Sequence, residues 1–144
     1  MARLISTLAV GTKVKSLDTK YNNTPIIFVV GHKPTGRVKL VTERTITLKC
    51  FDAREPSNPN SDRQLYGNNR YAHSNVDQWL NKADASWYVN QHAHDAPPTS
   101  ANVWSNHNPY NTEQGFLANF EQNFRNAILD TSIIVAKNTV TDGG

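Results

Sequence analysis

The chain has 144 residues, a length that suits one domain with a sizeable hydrophobic core. Hydrophobic residues make up 38%, charged residues 19%, and the mean hydropathy is -0.59, because uncharged Asn, Thr, Ser and Gln are frequent. This composition excludes a charge-rich disordered chain and predicts a polar globular domain with long loops. No apolar run approaches the ~20 residues of a membrane span, so we expect a soluble protein with no membrane partner. The single cysteine, Cys50, excludes an internal disulfide.

Charge is unevenly distributed along the chain. Residues 1–49 contain nine Lys or Arg and two acidic residues, whereas residues 50–144 contain six and ten. The basic part would suit an anionic partner such as nucleic acid or teichoic acid. Because the aromatic residues of a base-stacking platform are absent among these cations, we expect no nucleic-acid partner. We instead place the cations on the solvent face of strands, where lysine protects sheet edges: Lys13, Lys15, Lys33, Arg37, Lys39 and Lys49.

The first half of the sequence predicts β-structure. Residues 25–30 (PIIFVV) form a short apolar run, which is typical of a buried strand. Residues 38–42 and 45–51 alternate between apolar and polar positions, and they predict two more strands, joined as a hairpin or as one kinked strand. Residues 12–17 predict a partner strand for this sheet.

Residues 52–74 differ in character from the preceding strands. They contain two prolines, a glycine and four asparagines, a composition that predicts a long surface loop. Loops of this length are often functional, so we expect recognition to occur here. Each acid of the segment has an arginine nearby, which favours ion pairs that order the loop over paired catalytic carboxylates. These residues are Asp52, Glu55 and Asp62, with Arg54 and Arg63.

Two helices are predicted in the second half, with a second loop over residues 90–110 between them. Ser74 is a suitable cap for the first helix, in which Trp79 is expected to be a core anchor. The second helix begins near Asn111 or Thr112, and its apolar residues recur at helical spacing, which predicts a face packed on the core. These residues are Phe116, Leu117, Phe120, Phe124, Ala127 and Ile128.

The end of the sequence predicts a strand without a partner. Residues 132–135 (SIIV) have strand character, and Asp142-Gly143 is a two-residue hairpin signal with no returning strand after it. We therefore expect either that the chain is incomplete or that another molecule supplies the missing strand.

The histidines of the second loop raise the question of a metal site. His92 and His94 point the same way on an extended segment, and Asp95 and His107 would complete a set of four ligands. Solvated histidines are common in loops, and the HAHD motif lies in a predicted loop. We therefore expect no metal.

Other sources of chemistry are weaker still. The NPNSD motif of residues 58–62 offers oxygens at alternate positions, but it lacks the glycine and the glutamate of a calcium-binding loop. There is no G-x-S-x-G elbow and no glycine-rich phosphate loop, and Cys50 is expected to be a small core residue. We therefore predict no cofactor and no enzymatic activity.

A series of motifs in chain order resembles one known family. It comprises LAVGTKVK (8–15), TPIIFVVGHK (24–33), VKLVTERTITLKCFDAREPSN (38–58), NNRYAHSNVDQWLN (68–81) and IIVAKNTVTDGG (133–144). The series is similar to that of an uncharacterised domain family of phage and prophage structural proteins and Gram-positive surface proteins. The resemblance implies a distant relationship to the C-type-lectin fold, which formylglycine-generating enzymes and phage tropism proteins share.

Departures from these relatives limit what the resemblance implies. Family members continue beyond the position of Gly144 into a segment rich in Trp and Arg, which this chain lacks. Glu55-Pro56-Ser57 matches only part of the calcium-binding triplet of sugar-binding lectins. A single cysteine cannot form the two-cysteine copper site of formylglycine-generating enzymes, so neither metal is expected.

The expected fold is α+β and C-type-lectin-like, with a small antiparallel sheet, two helices and long loops in one domain over residues 1–144. The resemblance implies a non-enzymatic virion component, an adhesin or decoration domain of a tail fibre, baseplate or capsid appendage. Its expected partners are other virion proteins, further copies of itself in a homo-oligomer, and a host cell-surface glycan. Its expected location is the phage particle, or the bacterial cytoplasm before assembly.

Ligand contacts are expected on the loops, because aromatic faces and amides suit sugar rings and hydroxyls. Alternatively, the Asn-rich loop uses its amides to satisfy its own backbone. A second functional reading is an assembly subunit without a ligand, whose open sheet edge is completed by another chain. Recognition by passive loops further requires that these segments lie outside, without a cluster of acids and histidines. The expected ligand-binding residues are Tyr66, Asn68, Asn69, Arg70, Tyr71, Trp87, Tyr88, Trp104 and Tyr110.

Overall fold

The computed structural model of the protein describes residues 4–104 and 108–132. The chain divides into two compact units, Met1–Thr47 with Asn119–Glu121 (unit 1) and Leu48–Ala118 with Gln122–Gly144 (unit 2). Within the described ranges, no helix combines the length and the apolar character needed to cross a bilayer. Three sequence predictions lie wholly or mostly outside these ranges: the strand at residues 132–135, of which only Ser132 is described, the turn at Asp142-Gly143, and the role of His107.

Unit 1 contains an antiparallel sheet of three strands in the order β1-β2-β3. The strands are β1 (Lys13–Tyr21), β2 (Thr24–His32) and β3 (Lys39–Thr42). Asn22 and Asn23 connect β1 to β2 with φ values of 48° and 62°, and a two-residue hairpin turn of type I′ requires positive φ at both positions. The strands predicted at residues 12–17, 25–30 and 38–42 are therefore confirmed.

One face of the sheet forms the core of unit 1. Ile26, Phe28 and Val30 alternate along β2 and are buried. Phe120 packs on this face, with its ring centroid 6.1 Å from that of Phe28. Next to Phe120, Glu121 accepts a hydrogen bond of 3.0 Å from the Ser16 hydroxyl.

The strand predicted at residues 45–51 is wrong, because these residues form no ladder. The predicted alternation placed Leu48 inside and Lys49 outside. The structure has the reverse: Leu48 is 78% exposed, and the Lys49 side chain is only 3% exposed and pairs with Glu113. Lys13, Lys15 and Lys39 are exposed on strands, as predicted. Lys33 and Arg37 are exposed too, but they lie between β2 and β3, not on a strand.

The described residues of unit 2 contain three short α-helices, α1 (Ser61–Tyr66), α2 (Asn75–Leu80) and α3 (Gln122–Asn126). The side chain of Asn60 caps α1 by accepting from two backbone N–H groups. Ser74 caps α2 by accepting from the backbone N–H of Asp77, which confirms the first predicted helix. Together with the sheet, these helices make the protein a small mixed α/β structure.

Aromatic rings form the core of unit 2. The rings of Trp87 and Tyr110 stack with centroids 5.4 Å apart, and Trp79 meets Tyr110 edge-on at 5.6 Å. Each indole N–H donates to a backbone carbonyl, at Gln114 for Trp79 and at Glu113 for Trp87. Lys49 Nζ lies 5.2 Å and 5.3 Å from the ring centroids of Trp79 and Tyr110, within cation–π range. The prediction that Trp79 is a core anchor is confirmed.

The second predicted helix is wrong as one continuous element. Its positions are divided between a 3-10 turn at Phe116–Asn119 and α3, and Phe120 between them belongs to unit 1. The backbone N–H groups of Gly115 and Leu117 donate to the carbonyls of Asp84 and Lys82. Because these amides bond to a distant segment, the first helical turn predicted here does not form.

The prediction of an irregular surface loop over residues 52–74 is also wrong. The segment contains α1 and a 3-10 turn, and several of its polar residues are buried. The buried ones are Asp52, Glu55, Asn58, Asn68 and Ser74. Since buried polar groups require bonded partners, these residues direct attention to the interior of the segment.

Gly67 provides a test of how tightly this segment is packed. Its φ is +75°, and a Cβ atom at this position would lie 2.2 Å from the carbonyl oxygen of Ala53. We expect Gly67→Ala to lower the free energy of unfolding by at least about 3 kcal/mol, as measured by urea denaturation.

Gly36→Ala is the matched control. Gly36 has a similar φ of +72°, but nothing lies within 4 Å of its added Cβ. The free energy of unfolding of this variant should fall by only ~1 kcal/mol, which is the cost of a non-glycine residue in the left-handed conformation. Equal losses in the two variants would contradict the close approach of Gly67 to Ala53.

Candidate functional site

Asp52 connects two separate parts of unit 2 through one buried carboxylate. Its Oδ1 accepts from the backbone N–H of Asn75 at 2.9 Å, and its Oδ2 accepts from that of Asn68 at 2.7 Å. Burial raises the pKa of Asp52 to about 6, although both hydrogen bonds act in the opposite direction. The carboxylate therefore holds the backbone of Asn68 close to that of Asn75, the first residue of α2.

Glu55 lies near Asp52 and is completely buried. Its Oε2 accepts from the side-chain amide of Asn58, and its Oε1 lies 2.9 Å from Nε2 of His92. His92 comes from the second loop, where Gln91 N–H donates to the Asp95 carboxylate and Asp95 N–H donates to the His92 carbonyl. These two bonds form a tight turn that directs the imidazole toward Glu55.

Asp52, Glu55 and His92 form an acid and histidine cluster. One ligand atom from each lies within 4.8 Å of the others, a spacing that allows all three to contact one divalent cation. The negative charge of this region reaches Tyr88, whose pKa is raised to about 12 by burial and by the charges of Asp95, Asp52 and Glu55. The expectation that the Asn-rich segments contain no such cluster is therefore wrong.

Sequence reasoning did not find this cluster. It grouped His92 with its neighbours in the HAHD motif, whereas the structure pairs His92 with Glu55, 37 residues away. Nδ1 of His94 instead lies 3.2 Å from the Ser57 hydroxyl, outside the cluster. The only sequence signal was the presence of acids in one loop and histidines in the next.

Arg54 does not form the predicted ion pairs with Asp52 and Glu55. Its guanidinium donates to the carbonyl of Ala101 at 2.6 Å, and Asp52 and Glu55 are bonded by amides and by His92. The asparagines of the NPNSD motif also serve the backbone. Asn58 Oδ1 accepts from Asn60 N–H, and Asn60 caps α1. The prediction that loop amides satisfy their own backbone is confirmed at these positions.

Tyr66 and Trp104 form an exposed aromatic pair in unit 2. They are 66% and 48% exposed, and their ring centroids lie 5.8 Å apart with the planes tilted by 32°. Tyr66 is the last residue of α1, and Trp104 follows a turn at residues 99–103. Both are among the predicted ligand-binding residues, and the structure places them together.

The aromatic pair is held in place by the backbone of residues 54–55. Arg54 N–H donates to the carbonyl of Asn102 at 2.8 Å, two residues before Trp104. Glu55 N–H donates to the carbonyl of Arg63 in α1, three residues before Tyr66, at 3.1 Å. The backbone near each ring is therefore bonded to one short segment, residues 54–55, which reduces the entropy lost when a ligand binds the rings.

Three predicted ligand-binding residues are corrected by their burial. Trp87 and Tyr110 are 1% and 0% exposed and stack on each other in the core, so neither offers a free face. Asn68 is 3% exposed, and its side chain accepts from the backbone N–H of Arg70. Aromatic content in a predicted loop did not distinguish core residues from surface residues.

The other predicted residues are at least partly exposed. Asn69 is exposed, and Arg70 is partly exposed. Tyr71 is half-buried against Phe51 at a centroid distance of 6.4 Å, and the Tyr88 hydroxyl donates to the side chain of Asn90 at 3.0 Å. These four residues remain predicted contacts, without an arrangement as distinct as that of the aromatic pair.

Comparison with known families gives a match over most of the chain. The sequence profile of a family described as "Domain of unknown function (DUF6273)" matches residues 35–144. No curated protein and no solved structure matches the chain. The matched region includes β3, the cluster and the aromatic pair.

The thiol of Cys50 is expected to be unreactive. Burial raises its pKa to about 11, about two units above that of an ordinary thiol, so at pH 8 the folded protein holds about 100-fold less thiolate than an unfolded chain. Alkylation by iodoacetamide at pH 8, followed by mass spectrometry, should be slower by about this factor than in 8 M urea. Equal rates would contradict the burial of the thiol.

Asp52→Asn tests the bridging carboxylate. Asparagine has one acceptor oxygen, so one of the two buried backbone N–H groups loses its partner. At pH 7 we expect the free energy of unfolding to fall by about 2 kcal/mol, as measured by urea denaturation in the presence of EDTA. An unchanged stability would show that the two bonds contribute little.

The raised pKa of Asp52 can be tested by measuring the stability of the wild type and of Asp52→Asn at several pH values. Since the pKa of Asp52 is about 6 when folded, and lower when unfolded, the folded state binds more protons between about pH 4 and 6. The contribution of Asp52 to stability therefore declines as pH rises through this window. The advantage of the wild type over Asp52→Asn should be about 2 kcal/mol larger at pH 4 than at pH 7. An advantage that increases with pH would indicate a lowered pKa.

Proposed function

The chain belongs to the DUF6273 family, and we propose that it is a non-enzymatic recognition domain, an adhesin or decoration domain of a phage or prophage particle. Its ligand is a host cell-surface glycan. The observation that carries this proposal is the exposed pair of Tyr66 and Trp104. The assignment to a virion, with other virion proteins as neighbours, is supported by the resemblance of the motif series to phage structural proteins.

The geometry of the aromatic pair suits a sugar ligand. Two rings tilted by 32° form a shallow apolar surface, on which the C–H faces of one or two sugar rings can stack. Exposed large aromatic side chains are costly to leave in water, so a ligand that covers both rings gains apolar burial. Asn69 and Arg70 follow Tyr66 closely in sequence, and they supply hydrogen-bonding groups for hydroxyls.

The acid and histidine cluster changes the basis of the recognition proposal. The long polar segments fold around buried groups, so they are not a passive surface along their whole length. Recognition is therefore assigned to the aromatic pair and its exposed neighbours. Each oxygen of Asp52 and Glu55 already has a hydrogen-bonding partner, which favours a structural role over proton transfer.

We also propose that the mixed α/β fold is C-type-lectin-like. The order of the motifs supports this assignment, together with the amount of irregular chain that packs around α2 in unit 2. In unit 2, an aromatic core supports segments with little regular structure. Such a frame allows ligand-contacting side chains to be carried on loops.

Alanine substitution of the aromatic pair tests the proposed function. We expect Tyr66→Ala and Trp104→Ala each to weaken binding on an array of Gram-positive surface glycans by at least about tenfold. Both side chains are exposed, so the two variants should unfold at nearly the wild-type urea concentration. Val89→Ala is the control, because Val89 is 59% exposed and lies outside the pair. Retained binding in both variants, or no retained glycan on the array, would refute the glycan proposal.

A second candidate function is an assembly subunit whose sheet is completed by another chain. In the part of the chain that the structure describes, β1 and β3 each have a neighbour on one side only. A groove of about 440 Å³ in unit 1 also exposes Pro25, Ile27 and Ile46. Light scattering distinguishes the two functions, since an assembly subunit self-associates or binds a virion protein. An adhesin instead retains a glycan on an array.

A further inference from the structure

The acid and histidine cluster has the ligand atoms of a metal site. Asp52 and Glu55 are 6% and 0% exposed, and the His92 side chain is 11% exposed. The three residues come from two segments, residues 52–55 and the turn at residues 91–95. A set of ligands this deeply buried and drawn from separate segments is not a solvated acidic surface.

The cluster carries more negative charge than its own residues balance. Asp95 lies in the same turn as His92, since its N–H donates to the His92 carbonyl and its carboxylate accepts from the Gln91 N–H. Three carboxylates therefore lie near His92, whose ring centroid is 6.2 Å from that of His73. Excess buried negative charge is unfavourable unless a cation or a proton compensates it.

Unpaired polar atoms are concentrated in the same place. Nδ1 of His92 and Oδ1 of Asp95 are both inaccessible to solvent and have no hydrogen-bonding partner. Nδ2 of Asn75 is a third such atom. Asn75 is fully buried and bonded to the 52–55 segment, because its backbone N–H donates to Asp52 and its side-chain oxygen accepts from Ala53 N–H. Buried polar atoms without partners are rare, and several together indicate a site for a further polar species.

We propose that Asp52, Glu55 and His92 bind one divalent transition-metal ion, with Zn²⁺ as the best fit. Two carboxylate oxygens and one imidazole nitrogen are a donor set that Zn²⁺ accepts, whereas Ca²⁺ and Mg²⁺ prefer oxygen donors alone. A fourth position remains for water.

The unpaired atoms of His92 and Asp95 also fit this arrangement. When Nε2 of His92 binds a metal, its contact with Glu55 is replaced and the ring proton is carried on Nδ1. Asp95 lies three residues further along the same turn, and its unpaired Oδ1 is the acceptor that we expect this N–H to bond once the metal is bound. A carboxylate that bonds the second nitrogen of a metal-binding histidine is a common outer partner of such sites. Asp95 is therefore a positioning residue for His92.

Metal binding at this site would join the 52–55 segment to the 91–95 turn. The 52–55 segment also anchors the aromatic pair, but the metal proposal does not depend on glycan recognition. Binding of Zn²⁺ is measured without any glycan, so the two proposals can fail separately.

The test is isothermal titration of the full chain, stripped with EDTA, with ZnCl₂. We expect one Zn²⁺ per chain and a rise in the thermal unfolding midpoint when stoichiometric Zn²⁺ is added. His92→Gln and Glu55→Gln should each weaken Zn²⁺ binding by at least about 100-fold. Near-UV circular dichroism identifies any variant that is unfolded. Co²⁺ absorption in the visible range, measured on the wild type, gives a readout of the coordination that does not depend on a variant.

His94→Gln and His32→Gln are the matched controls. His94 is exposed and bonds Ser57, and His32 is exposed at the end of β2, so each should change Zn²⁺ affinity by less than about threefold. Loss of binding in a control, with binding retained in His92→Gln and Glu55→Gln, would assign Zn²⁺ to surface histidines and overturn the proposal. Absence of Zn²⁺ binding by the wild type, or binding of Ca²⁺ alone, would overturn it as well.

Discussion

The two hydrogen bonds that Asp52 accepts are the constraint on which unit 2 depends. A carboxylate that is nearly inaccessible to water loses its hydration, and the two backbone N–H groups replace part of it. In exchange, the turn after α1 and the start of α2 are held at a fixed separation. The intervening residues can then be irregular without being mobile, because their two ends are fixed.

A similar exchange occurs at Lys49, where a cation is buried instead of an anion. Glu113 supplies the opposite charge, and the faces of Trp79 and Tyr110 supply a favourable electrostatic surface. The polar groups inside unit 2 therefore have specific partners, and the aromatic rings are positioned by them. Unit 1 differs, since an apolar face of β2 packed on Phe120 forms its core.

The contrast between the units explains how much of the fold the sequence predicted. The strands of unit 1 follow from short-range alternation, and α2 follows from an apolar face preceded by a serine cap. Lys49 and Asp52 could not be placed by such rules, because their burial depends on partners far along the chain, Glu113 and Asn75. The same limit applies to the cluster, in which Glu55 and His92 are distant in sequence and adjacent in space. For the aromatic residues, composition predicted contact surfaces, but only three-dimensional packing separates Trp104 from Trp87.

The hydrogen bonds that support Tyr66 and Trp104 come from the main chain, and this affects which substitutions the two positions can tolerate. Their positions are set by main-chain bonds from residues 54 and 55 to Asn102 and Arg63, and those bonds are indifferent to the identity of the two side chains. Replacing either ring by another residue changes the exposed surface of unit 2 and leaves these main-chain bonds in place. The two positions can therefore accept a wider range of side chains than the buried positions of the same unit.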